Sequence, residues 1–118
     1  MSEWNDALFK QWLDLRNAFK ANKKIKNWSN VINIGNAIIQ LDSQAKFIGI
    51  MVPIFYKEIA NAYEKLCDIS NAIEFYSLAR DGFIKYRAEK SLGSENDRLS
   101  DIDRIDKKII KLSSKMET

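Results

Sequence analysis

Lys57 and Asn61 stand four residues apart in a stretch of helical periodicity, so their side chains leave the same face of one helix. A lysine there can meet a carboxylate, and a carboxamide one turn away can bridge to peptide backbone. That is recognition chemistry. The groups that make and break bonds are scarce: the 118 residues include no histidine and a single cysteine, Cys67. The commonest general base and metal ligand is therefore missing, and one thiol does not make a zinc site of the usual kind. Cys67 falls in an expected turn with no activating base beside it and reads as a small packing residue. Neither Gly-x-Gly-x-x-Gly nor Gly-x4-Gly-Lys-Ser/Thr occurs, so no phosphate-cradling loop is suggested. Carboxylates such as Asp101 and Asp106 lie along an exposed helix face and read as solvated surface. The expectation is a protein that is not an enzyme, with no catalytic residue, no metal site and no cofactor.

Bulk properties agree with a binding protein. Hydrophobic residues make 46% and charged residues 30% of the chain, a globular composition of a size for one domain, 1–118. One proline and four glycines leave little turn punctuation, which favours long helices. The net charge of +3 is unevenly placed. Residues 1–26 hold six Lys/Arg against three Asp/Glu, whereas 27–52, 53–93 and 94–118 each balance. The excess gathers at Lys20, Lys23, Lys24 and Lys26, beside Trp28. With no basic face along the rest of the chain, these lysines read as a solvated turn and nucleic acid is not the expected partner. No basic-then-apolar leader is visible at the start, and the apolar run 47–56 is about half the ~20 residues of a membrane helix. A cytoplasmic location with no membrane partner is the resulting expectation.

The apolar spacing predicts five helices. The first spans about 5–22, with Trp4, Leu8, Trp12, Leu15 and Phe19 as its stripe. Asn27 is the predicted N-cap of the second, which runs to about Leu41 until Asp42 and Ser43 break the pattern. Ser43 is expected to cap a third helix over about 44–67. Its stripe (Phe47, Ile48, Met51, Phe55, Ile59, Tyr63, Leu66) runs through Pro53 and predicts a kink; the alternative is a fresh helix starting at Pro53. The fourth is expected over about 71–91, with Ile73, Tyr76, Leu78, Ala79, Phe83 and Tyr86 inward, ended by Leu92-Gly93. Ser94-x-x-Asp97 resembles a capping box for a fifth helix reaching about Lys115, with Leu99, Ile102, Ile105, Ile109, Leu112 and Met116 on its apolar side.

Between Tyr56 and Ala79 the sequence reads Tyr56-x2-Ile59-Ala60-x2-Tyr63, then Ala72-x3-Tyr76-x2-Ala79. Large residues at interlocking positions and alanines at close-approach positions resemble the tetratricopeptide repeat, a helix-turn-helix of about 34 residues. Cys67 stands where glycine is usual and Ile84 where proline is usual. Trp12-x2-Leu15-Arg16-x2-Phe19 resembles a degenerate first copy, with Arg16 in place of the small residue and a longer loop before Trp28. The resemblance implies an all-α fold of about five antiparallel helices: tetratricopeptide-like hairpins closed by a C-terminal capping helix. It also implies a groove lined by the first helix of each pair. Lys57, Asn61 and Lys65 would enter it from helix three, and Asn17 and Lys20 from helix one, with Asn17 equivalent to Asn61. Family members that clamp a C-terminal carboxylate carry a Lys and an Asn at this spacing, together with basic residues from a third pair that this chain lacks. Lys108, on the capping helix, would lie away from the groove.

Helix two offers a second surface. From Asn27 to Leu41 it carries no charge, and Asn30, Asn33 and Asn36 share its polar side. Such a face is expected to be covered, by a neighbouring helix or by a second chain in a homodimer. The function that follows is a non-catalytic adaptor for a protein or peptide partner of acidic character. The alternatives are a helical-bundle inhibitor of immunity type acting through a flat face and, less favoured, a nucleic-acid-associated protein.

Overall fold

A computed structural model describes residues 6–44, 52–89 and 98–116. Among these residues five helices follow one another: α1 (Asp6–Lys24), α2 (Trp28–Gln44), α3 (Val52–Lys65), α4 (Ile69–Glu89) and α5 (Leu99–Met116). The fold is all-α, with no strand among the described residues. None of these helices is long and apolar enough to cross a membrane.

Two turns set the architecture, and they are alike. After α1 the Asn27 N–H returns to the Asn22 carbonyl (2.9 Å) and the Lys26 N–H to that of Lys23 (3.1 Å). After α3 the Asp68 N–H returns to Tyr63 (2.9 Å) and the Cys67 N–H to Glu64 (3.0 Å). Both are Schellman caps, with Lys26 and Cys67 in the left-handed position at φ 62°. The residue that closes each cap also opens the next helix. Asn27 Oδ1 accepts from the Asn30 N–H, and Asp68 Oδ1 from the Asn71 N–H, at 3.3 Å each. The turn thus recurs 41 residues on, from 26 to 67 and from 27 to 68. The same shift carries Phe19 to Ala60, Val31 to Ala72, Gly35 to Tyr76 and Ile38 to Ala79, and every one of these is buried.

Each helix packs on its neighbours in the chain, and the molecule is an elongated slab of 53 × 36 × 20 Å. The core has two parts with α3 as their shared wall. Ala60 joins Ala72, Tyr76, Ala79 and Phe83 of α4 and Ile105 and Leu112 of α5. Ile59 and Ala62 join Phe19 of α1 and Val31, Ile32 and Ile38 of α2. Ala60, Ala72 and Ala79 are wholly buried in one cluster, as close helix packing requires. Phe75 is sandwiched between Tyr56 and Tyr63, with ring centroids 5.9 and 5.4 Å away. Gly35 lets α2 approach Ile59, and Gly82 of α4 faces the Pro53 ring.

Several expectations are corrected. α2 does not stop at Asp42–Ser43 but continues to Gln44, and the Ser43 hydroxyl donates back to the Gln40 carbonyl (2.6 Å) instead of capping a new helix. Gln44 therefore ends α2 rather than starting α3. The described part of α3 is Val52–Lys65 with Pro53 its second residue, and the stretch before Pro53 over which a continuous, kinked helix was expected lies outside the described residues. Phe47, Ile48 and Met51 lie outside the described residues, as do Trp4, Leu92-Gly93 and the Ser94-x-x-Asp97 box. α4 begins at Ile69, two residues before the expected start, because Asp68 caps it. Leu66, Leu78, Leu99 and Met116 were expected inside and are exposed. Asn30, Asn33 and Asn36 are all exposed, so none of the described helices covers that face.

Candidate functional site

The odd-numbered helices meet along one face. Between α1 and α3, Phe55 stands edge-on to Phe19 (5.4 Å between centroids), and Lys23 pairs with Glu58. Between α3 and α5, Lys57 Nζ lies 3.9 Å from Asp101 and Lys108 Nζ 3.2 Å from Glu64. Each junction leaves a cleft. Arg16, Phe19, Lys20 and Lys23 of α1 and Ile54, Phe55 and Glu58 of α3 line the first. Lys57, Glu58 and Asn61 of α3, Tyr76 of α4, and Asp101, Arg104, Ile105 and Lys108 of α5 line the second. Glu58 borders both, where the two clefts adjoin.

A pattern runs along this groove. α1 offers Arg16 and Lys20, α3 offers Lys57 and Asn61, and α5 offers Arg104 and Lys108, each pair one helical turn apart. The 41-residue shift set by the turns maps Arg16 onto Lys57 and Lys20 onto Asn61. Six cationic side chains (Arg16, Lys20, Lys23, Lys57, Arg104, Lys108) face two carboxylates (Glu58, Asp101). The groove therefore carries a larger positive excess than the chain as a whole, at +3.

The α3/α5 cleft is the one bordered by three helices. Its volume of about 190 Å³ suits one side-chain head group rather than a drug-sized ligand. Tyr76 forms its floor; the phenol donates to Glu64 Oε1 at 3.0 Å. Burial first, then the Glu64 carboxylate it bonds to and the nearby Glu58, pushes the Tyr76 phenol above its usual range. Glu64 therefore ties α3 to α4 through Tyr76 and to α5 through Lys108. Just before α5, Arg98 holds Asp101 at 3.1 Å and lays its guanidinium 5.6 Å from the centre of the Phe83 ring. In the other cleft, Arg16 lies over Trp12 at 5.6 Å. Trp12 and Trp28 are both partly buried against the α1–α2–α3 cluster.

Of the residues singled out from the sequence, Lys57 and Asn61 line the α3/α5 cleft and Lys20 lines the α1/α3 cleft. Asn17 and Lys65 are exposed and line neither. Asn17 was matched to Asn61 by a shift of 44, three residues more than the turns set; Lys20 is the true counterpart. Arg16, Arg104 and Lys108 were missed as groove residues. Lys108 had been read as remote, yet it reaches Glu64 across the cleft because α5 presents the same face as α1 and α3. The signal available in the sequence was the recurrence of Arg/Lys-x3-Lys/Asn on all three helices. Among the described residues no three His, Cys, Asp or Glu side chains cluster in a way that holds a metal ion. No family model matches the chain, and no curated protein or solved structure matches it either.

Proposed function

We propose that this protein is a non-catalytic adaptor built on tetratricopeptide-like hairpins, and that the groove of α1, α3 and α5 binds an acidic segment of another protein. One observation carries the reading: three i, i+4 polar pairs, all but Asn61 cationic, line two clefts that meet at Glu58. A groove of one sign attracts a partner of the other and fixes its register. The repeat reading draws support from the duplicated turn, from packing between consecutive helices, and from an elongated form. The radius of gyration is 15.4 Å, against about 13.5 Å for a compact chain of this length.

The test is fluorescence anisotropy with a labelled Asp/Glu-rich peptide of about ten residues. Lys57→Glu combined with Arg104→Glu is expected to abolish binding. Lys111→Glu, at an exposed α5 position lining neither cleft, is expected to change it little. Equal losses from both, or tighter binding of a single-stranded RNA of the same length, overturn the reading. The exposed, uncharged Asn30/Asn33/Asn36 face of α2 favours a second one, an inhibitor or homodimer that docks through a flat surface. Partner cross-links at Asn33 and Asn36 instead of Lys57 would select it.

A further inference from the structure

We infer that the α3/α5 cleft takes a dianionic phosphoryl group carried on the bound segment, in preference to a carboxylate. The inference rests on the groove being the binding site, and it follows from which ion pairs the cleft can give up.

Both lysines of the cleft are engaged, but by carboxylates that have a second donor. Asp101 lies 3.9 Å from Lys57 while Arg98 holds it at 3.1 Å. Glu64 accepts from Lys108 at 3.2 Å and also from the Tyr76 phenol at 3.0 Å. A ligand anion can therefore draw Lys57 and Lys108 away without leaving either carboxylate unpaired, the outcome that makes breaking an internal pair costly. Glu58 stays paired with Lys23 of α1, which lies outside this cleft. Arg104 makes no ion pair among the described residues.

Charge then selects the ligand. With Asp101 kept by Arg98 and Glu58 by Lys23, the cations left to the ligand are Lys57, Arg104 and Lys108. Only Glu64, whose remaining partner is a neutral phenol, opposes them, so two positive charges are uncompensated. A phosphomonoester brings about −1.5 to −2 at neutral pH, close to balance, where a carboxylate leaves one charge over. Donor number points the same way. Two ammonium groups, a forked guanidinium and the Asn61 amide border one small cleft. The three terminal oxygens of a phosphoryl group can serve them together, and the two of a carboxylate serve them less completely.

The experiment compares three labelled peptides of one sequence, with phosphoserine, glutamate or serine at the centre, binding the full chain by anisotropy. At pH 7.5 the phosphopeptide is expected to bind at least tenfold tighter than the glutamate peptide, with serine weaker still. Arg104→Gln should remove most of that preference, and Lys107→Gln, exposed on α5 and lining neither cleft, should preserve it. Lowering the pH from 7.5 to 5.5 should erode the phosphopeptide's advantage, because the second phosphate ionisation lies near about 6. The chain has no histidine, the side chain that ordinarily titrates in this window, so the change belongs to the ligand. Equal affinity for phosphoserine and glutamate peptides overturns the phosphoryl preference and leaves the acidic-segment reading standing. Binding of none of the three, or equal binding of all three, overturns both. Inorganic phosphate competing at the phosphopeptide's own concentration overturns the peptide as the carrier.

Discussion

Replacing Gly35 by alanine sets intrinsic propensity against packing. Gly35 lies inside α2, where alanine is favoured by about 1 kcal/mol if the site is open. It is not open. A Cβ built on Gly35 would stand 2.7 Å from Ile59 Cγ1, 3.0 Å from Ile59 Cδ1 and 3.3 Å from Phe19 Cε1. Ordinary contact begins near 3.4 Å, so the main overlap is 0.7 Å. It falls on the inner part of the Ile59 side chain, not on a free end. Ile59 is 0% exposed and held among Phe19, Val31, Ile32, Ile38 and Ala62. Relief therefore means displacing α2 from α3, and overpacking of this kind costs about 1–3 kcal/mol. Set against the propensity gain, Gly35→Ala should lower stability by up to about 2 kcal/mol, a fall in Tm of several degrees. Thermal and urea unfolding followed by circular dichroism measures it. Asn33→Ala, on the exposed side of the same helix, should raise Tm slightly through propensity alone. A double-mutant cycle with Ile59→Ala should return a coupling above about 0.5 kcal/mol, since the smaller residue makes room for the new methyl. If Gly35→Ala stabilises as Asn33→Ala does, or the cycle shows no coupling, the close approach of α2 to α3 is wrong.

Three further outcomes are expected. Cys67→Gly should stabilise by about 0.5–1 kcal/mol in urea unfolding, because glycine occupies the left-handed position at φ 62° without its steric cost. Ala72→Leu should destabilise by about 1–3 kcal/mol, since Ala72 is wholly buried with Ala60 and Ala79 where α3 meets α4; a surface-like response would contradict that packing. The Tyr76 phenol stays protonated in the fold above pH 10, where it ionises in the unfolded chain, so its stabilising effect is present below pH 10 and lost as pH rises from there. Tyr76→Phe should flatten the decline of Tm above pH 10 and remove one late-titrating tyrosine from the absorbance at 295 nm.

The sequence disclosed what depends on local rules. The Asn27 cap, the stripe through Phe19 and the alanines of α3 and α4 were legible because each follows from spacing along one helix. The start of α4 was placed two residues late because the expected turn was read through to Asn71, whereas Asp68 both closes the turn and caps the helix. The registration of the first hairpin failed for a related reason. Trp12 and Leu15 copy the spacing of Tyr56 and Ile59, but the turn, which sets the true shift, uses a lysine at the left-handed position, where no glycine advertised it. Asn17 was drawn into the groove by that error. Arg104 and Lys108 repeat the Arg/Lys-x3-Lys/Asn spacing, but the spacing alone does not place them in the groove, because which side of α5 meets α3 is set by tertiary packing. Ser43 and the exposed Leu78 and Leu99 show the weakness of reading boundaries and burial from type alone: α2 accommodates a hydroxyl that bonds its own backbone, and amphipathic stripes are wider than the strip that is covered.

Because each helix leans on the one before it and the one after, the chain has a bearing on how it is made as well as on what it binds. Contacts between sequence neighbours close short loops, and chains organised this way fold fast and can begin from more than one hairpin. The middle of the array then owns the last structure to open. α3 is the wall of both core clusters, and α4 is packed by α3 and α5, whereas α1, at the outer edge, packs chiefly on α2 and meets α3 through Phe19 and Lys23. Amide protection should accordingly be deepest at Ile59 to Ala62 and Ala72 to Ala79 and fall away along α1, leaving the Arg16 and Lys20 side of the groove free to adjust while the Lys57 and Asn61 side stays fixed.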